Sequence, residues 1–306
     1  MRYPKKLEKG DTVGIICPSS PIQVKRINQC KNIIENLGYK VKMADNLAKN
    51  YAGYMAGSGK ERGKWINTMF SDDEVNAIIC VRGGDGGSRI MEYLDLDMIR
   101  KNPKIFVGYS DVTSLHLALN QSCDLVTFHG PMVSSNIVDD FDIETSKAFF
   151  DAINGDNEYT YISPQGFEVG VLKNGKAEGQ LIGGNLAVLT AAIGTPYEPD
   201  TRNKILFIEE VGETMSRVDR MIYQLRNAGK LQNANGIILG QFTRCNNEEM
   251  PDYNELSIMR DALEGLDIPV MYNVQSGHGN PMITLPLGAD CYMDTENKAI
   301  KFKVER

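Results

Sequence analysis

Lys104-Ile-Phe-Val-Gly-Tyr-Ser-Asp-Val-Thr-Ser-Leu-His116 joins a short apolar run to a helical pattern across one tight turn. Ile105, Phe106 and Val107, bounded by Pro103 and Gly108, have the length and side-chain type of a buried strand. From Asp111 onward, apolar residues at 112, 115, 117 and 119 mark a helix. A strand that feeds directly into a helix is the repeating unit of a parallel sheet. At the junction, Ser110 would sit on a sharp bend that pushes its hydroxyl outward, with the Asp111 amide pointing the same way. That suits a nucleophile, but Gly-x-Ser-x-Gly is absent, so a base and an orienting acid have to be found elsewhere.

Upstream the same alternation repeats. Thr12 to Cys17 is an apolar strand ending at Pro18-Ser-Ser20, and Val24 to Leu37 carries an amphipathic helix closed by Gly38. Tyr39 to Met43 is a second strand and Lys60 to Phe70 a helix. Asn76 to Val81 is a third strand, running into Arg82-Gly-Gly-Asp-Gly-Gly-Ser88. Ile90 to Ile99 is expected as one helix, and Leu125 to Phe128 as a fifth strand. Strands separated by helices imply right-handed crossovers, with chemistry beyond the carboxyl ends of the strands. Pro18–Ser20, the glycine loop and Ser110 all fall there.

Downstream, the Gly, Asn, Pro and Lys content of residues 155–176 suggests a loop or linker. Strands are then expected at Ile205 to Ile208, Gly236 to Gly240 and Pro269 to Val274, with helices at Met215 to Ala228 and Tyr253 to Leu263. A hairpin turned at Asp294-Thr-Glu-Asn297 closes the chain. The organisation expected is an α/β N-terminal domain over residues 1–160, a linker at 161–176 and a smaller α/β C-terminal domain over 177–306.

Bulk properties narrow the function classes. The chain has 306 residues, 42% hydrophobic and 24% charged, with a net charge of -7. An acidic chain without a basic stripe is not expected to bind nucleic acid. No window reaches the roughly 20 apolar residues of a membrane span, and the basic N-terminus is not followed by a signal-peptide core. Six scattered cysteines without a Cys-x-x-Cys pair fit reduced thiols in the cytoplasm. With three histidines, none close in sequence to another, no metal site is expected.

Three polar features at strand ends carry the chemistry. In Arg82-Gly-Gly-Asp-Gly-Gly87, adjacent glycines let main-chain amides approach a substrate oxygen, although a plain tight turn fits as well. It lacks the spacing of a dinucleotide or phosphate loop. Glu209 and Glu210 end an apolar strand, where an acid could orient a histidine; solvated surface carboxylates are the simpler reading. His278, in Gln275-Ser-Gly-His-Gly-Asn280, is flanked by glycines that let it enter a cleft. His129 also ends a strand and competes with it, whereas His116 is expected to face sideways from its helix as a packed or surface histidine. A nucleophile, a base and an acid are what acyl transfer needs.

Gly108-Tyr-Ser-Asp111, Ile208-Glu-Glu-Val-Gly-Glu213 and Ser276-Gly-His-Gly279, in that order, resemble the L,D-carboxypeptidase family of serine peptidases. Val81-Arg-Gly-Gly84, Phe128-His-Gly-Pro131, Gly183-Gly-Asn-Leu186 and Arg217-Val-Asp-Arg220 extend the resemblance over essentially the whole chain. It implies a Rossmann-like N-terminal half, similar to class I glutamine amidotransferases, and a triad of Ser110, Glu209 and His278. The oxyanion hole would be the amides of Gly84 and Asp111. It also implies a cytoplasmic homodimer needing no metal or cofactor.

The family substrate would be a murein tetrapeptide losing its terminal D-alanine during cell-wall recycling. Arg82 and Arg217 are then candidates for the substrate carboxylate, and Asn185 and Asp85 further substrate-binding candidates. Asp85 replaces the aromatic residue or methionine common in the family. Two other readings compete. A branch of the family cleaves peptide-nucleotide antibiotics of the microcin C kind, using a tryptophan that stacks on the base; here the only tryptophan is Trp65. The other is a non-enzymatic α/β protein whose glycine loop holds a small anion, which would not react with a serine-directed phosphonate.

Overall fold

In the computed structural model, which describes residues 1–305, the chain forms two sheets. The first contains β1 (Thr12–Ile16), β2 (Lys40–Met43), β3 (Val75–Cys80), β4 (Ile105–Gly108) and β5 (Thr127–His129). These five run parallel, in the spatial order β5-β4-β3-β1-β2. Helices α1 (Val24–Asn36), α2 (Gly59–Ser71), α3 (Leu96–Lys101) and α4 (Thr113–Cys123) make the crossovers. β4 is buried along its whole length, as a central parallel strand covered on both faces has to be.

The expected helix over 90–99 is instead two elements, a 3-10 turn over Gly87–Tyr93 and α3. Asp95 separates them, because its carboxylate accepts the amide of Met98 and so caps a new helix. α5 (Ile143–Asn154), started by the Asp142 cap, leads out of this sheet.

The second sheet holds β6 (Glu158–Thr160), β7 (Gly170–Lys173), β8 (Lys176–Asn185), β9 (Ile205–Val211), β10 (Gly236–Thr243) and β11 (Val270–Tyr272). β8, β9, β10 and β11 are parallel neighbours, joined through α6 (Leu186–Ala191), α7 (Met215–Asn227) and α8 (Glu255–Ala262). The chain then forms β12 (Leu285–Leu287) and the hairpin of β13 (Asp290–Asp294) and β14 (Ala299–Lys303). The hairpin extends the second sheet.

β12 does not join the second sheet. It pairs antiparallel with β5, Leu285 opposite His129, and so becomes an edge of the first. The expected linker at 161–176 also departs from expectation. Its residues Gly170–Lys173 are β7, paired with β11, and its last residue opens β8. Only Val171 and Leu172 are apolar in β7, too short a run to stand out from the sequence.

Candidate active site

Ser110 follows β4 and opens the 3-10 turn that leads into α4. Its φ is +66°, in the left-handed region, which costs a side-chain-bearing residue about 1 kcal/mol or more. Surrounding contacts hold the bend. The carbonyl of Gly108 accepts from Gly130 N at 3.2 Å and from His116 Nε2 at 2.9 Å. Since a carbonyl only accepts, His116 is the Nε2–H tautomer, and its Nδ1 accepts the Thr127 hydroxyl at 2.8 Å. Burial pushes this imidazole down to about 4, so it stays neutral as a structural brace. Of the packed and surface roles expected for it, the structure shows the packed one.

The glycine loop packs directly on the serine. A side chain added at Gly83 would stand 3.1 Å from Ser110 Oγ. Gly84 has φ +125° and lies so close to Ser20 that a Cβ would fall 2.1 Å from its hydroxyl oxygen. Ser20 fastens the loop, its amide donating to Gly83 O and its Oγ accepting from Asp85 N at 3.1 Å. The Asp111 carboxylate accepts from Ser19 Oγ at 2.5 Å and from Gly87 N at 2.7 Å. Burial raises its pKa, against the lowering effect of those two bonds.

β9 presents two adjacent carboxylates, and adjacent strand residues point to opposite faces. Glu209 is fully buried, and its Oε2 lies 2.7 Å from Nδ1 of His278. Glu210 is also buried but turns toward α6, accepting from Asn185 Nδ2, Ala187 N and Val211 N at 2.8–2.9 Å. Burial raises the pKa of Glu210 despite these donors. Neither acid is a solvated surface carboxylate.

The His278 ring meets Tyr109, the residue before Ser110, edge to face with centroids 4.8 Å apart. Gln241 steadies its loop, accepting from Gly279 N at 2.7 Å and donating to Gln275 Oε1 at 2.9 Å. Ser110 just beyond β4, Glu209 within β9 and His278 in the loop after β11 thus come from two sheets. His129 does not join them. It is fully buried between Phe207 and Tyr109, neither ring nitrogen has a hydrogen-bond partner, and burial drives its pKa well down.

The substrate-binding candidates separate. Arg82 is exposed beside the glycine loop, with Nε on Gly83 O at 3.2 Å. Asp85 is exposed on the same loop. Arg217 lies on the first turn of α7, largely exposed and paired with Glu213. Asn185 is buried; besides binding Glu210, it accepts from Val188 N to cap α6. Sequence reasoning missed Gln241, whose signal was weak, a single polar residue after the apolar run of β10. Among the described residues there is no cluster of His, Cys, Asp and Glu able to hold a metal ion. None of the described helices is long and apolar enough to cross a membrane.

A parallel sheet with a strained serine at a strand-to-helix junction, its neighbour Tyr109 in ring contact with a histidine held by a buried acid, has the layout of a hydrolase. Family models bear on this directly. The LD-carboxypeptidase N-terminal domain matches residues 13–130, and the LD-carboxypeptidase C-terminal domain matches 178–293. The probable murein peptide carboxypeptidase of Bacillus subtilis (strain 168) is 43% identical over 96% of this chain and 92% of its own.

Among solved structures, the microcin C7 self-immunity protein MccF superposes with a TM-score of 0.91 at 28% identity, covering 99% of this chain and 98% of that one. The muramoyltetrapeptide carboxypeptidase of Oxalobacter formigenes gives 0.84 at 27% identity, covering 96% and 99%. The chain belongs to the LD-carboxypeptidase family and is a carboxypeptidase.

Proposed function

We propose that this carboxypeptidase hydrolyses the L,D-peptide bond that holds the terminal D-alanine of murein tetrapeptides, during peptidoglycan recycling in the cytoplasm, as a homodimer. The 2.7 Å bond between Glu209 and His278, beside the strained Ser110 turn, is the observation that carries the catalytic assignment. Ser110 Oγ attacks the carbonyl of the L-centre while His278 takes its proton. The amides of Asp111 and Gly84 receive the negative charge that forms on the carbonyl oxygen. His278 then protonates the departing D-alanine amine. A water, deprotonated by the same imidazole, releases the acyl group from Ser110. Glu209 holds Nδ1 and stabilises the imidazolium formed in each half-reaction.

The murein substrate is supported by the Bacillus and Oxalobacter relatives, whose names specify murein or muramoyl peptides. A second reading, cleavage of a peptide-nucleotide antibiotic, is favoured by the likeness to MccF. Against it, Trp65 is engaged elsewhere, its indole N–H donating to Asp45 at 2.9 Å. Mass spectrometry of a mixed muropeptide pool, before and after treatment, tests the murein reading: tetrapeptides should shorten to tripeptides. Ser110→Ala should lose on the order of 10⁴ in rate. Turnover of an aminoacyl-adenylate analogue with intact tetrapeptides would select the antibiotic reading.

A further inference from the structure

Arg62, in the first turn of α2, is 1% exposed, an unusual burial for an arginine. No ion pair among the described residues includes it; its donors go to main-chain carbonyls of three separate loops. Nε donates to Gly57 O at 3.0 Å, and Nη1 donates both to Pro18 O and to Gly86 O, the latter at 2.9 Å. Nη2 points at Met55 Sδ, 3.4 Å away. A planar guanidinium can meet several fixed acceptors at once, which a lysine ammonium on its flexible stem does less well.

The bond to Gly86 has a counterpart on the same peptide group. The Gly86 carbonyl accepts from Arg62, while the adjoining Gly87 amide donates to Asp111 Oδ2 at 2.7 Å. One peptide plane is therefore clamped between a buried cation and a half-buried carboxylate. It belongs to the loop that carries Gly84, and the carboxylate belongs to the residue that directly follows Ser110. The two halves of the oxyanion hole are thus tied through a single peptide unit.

We propose that Arg62 is a positioning residue for catalysis, fixing through the Gly86–Gly87 peptide the height of the glycine loop relative to the Asp111 amide. This rests on the oxyanion-hole assignment made above. An oxyanion donor acts on charge that develops only in the transition state, so loosening the clamp should reduce kcat far more than it raises KM.

The variant to measure is Arg62→Lys, which keeps the charge and loses the fork. A donor displaced by about 1 Å costs roughly 10²-fold, so kcat should fall about 10- to 100-fold with KM within about twofold. Labelling of Ser110 by a serine-directed phosphonate should slow by a similar factor. In Arg62→Ala, added guanidinium should restore part of kcat. Gly86→Ala tests the clamp from the loop side should the arginine variants not fold, because its Cβ would lie 2.8 Å from Met55 Sδ and 3.2 Å from Arg62 Nη2. It should show the same loss in kcat.

A folded Arg62→Lys with wild-type kcat, or a loss appearing only in KM, overturns the proposal, as does wild-type kcat in Gly86→Ala. The underlying site reading fails differently: wild-type Ser110 would then take no phosphonate at all.

Discussion

Replacing Glu209 by glutamine tests the most consequential contact in the site. The carboxylate is wholly buried and meets His278 Nδ1 at 2.7 Å. When His278 becomes an imidazolium in the transition state, the two charge centres lie about 4 Å apart, worth about 4 kcal/mol at an effective dielectric constant near 20. Losing that attraction corresponds to about 10³-fold in rate. A glutamine also ceases to impose the tautomer with its proton on Nδ1, which brings the expected loss in kcat toward about 10⁴.

Glu210→Gln is the paired control. Its three donors would then face an amide nitrogen on one side, leaving a buried bond unmade at a cost of about 1–3 kcal/mol. Tetrapeptide hydrolysis and thermal melting should be followed in parallel. Glu209→Gln should be nearly inactive with little change in melting temperature, whereas Glu210→Gln should melt several degrees lower and retain much of its turnover. The opposite pattern, an active Glu209→Gln beside an inactive Glu210→Gln, would refute both the acid assignment and the electrostatic reasoning.

Gly84→Ala should lower kcat by about 10²-fold or more, because its Cβ cannot coexist with Ser20 Oγ and the donor amide must move; steady-state kinetics with a melting curve checks this. Gly183→Ala should destabilise the second sheet by more than about 3 kcal/mol, since its Cβ would stand 1.9 Å from the Phe207 carbonyl oxygen across the β8–β9 ladder; urea unfolding reads it. Acid should destabilise the protein through His116 and His129, whose folded pKa values lie below the usual histidine value. Below about pH 6.5 the unfolded chain binds protons that the fold refuses, so stability falls as pH falls toward 4, by up to about 1.4 kcal/mol per unit for each group. The raised carboxyls of Asp111 and Glu210 act in the other direction in their own range. His129→Phe, filling the same site between Phe207 and Tyr109, should reduce the acid sensitivity without lowering stability at neutral pH; melting curves from pH 4.5 to 7.5 check it.

Much of the first sheet was legible because its strands are compact apolar runs, each followed by a helix. β12 was not, since Leu285-Pro-Leu287 is three residues long and proline is tolerated only where no ladder amide is required. β8 was hidden by Gly179, Gly183 and Gly184, which interrupt its alternation to let neighbouring backbone approach. Ser110 and His278 stood out because each sits at a strand end among small residues. Choosing between Glu209 and Glu210 needed the second dimension of the sheet: alternation says that they face opposite ways and is silent on which way. Arg62 left no signal, because an arginine in the first turn of an amphipathic helix is ordinarily a surface residue.

The placement of β12 has a consequence for the protein as a piece of chain. His278 lies between β11 in the second sheet and β12 in the first, seven residues before the strand that pairs with β5. The histidine is therefore strung across the gap by covalent bonds at both ends, not merely carried there by one half docking on the other. Cutting the gene between the halves would strip an edge strand from the first sheet and expose the backbone of β5. Fragments ending near residue 160 should accordingly self-associate, and mixing separately made halves should regain little activity unless the N-terminal fragment is supplied with residues 281–289 as an added strand.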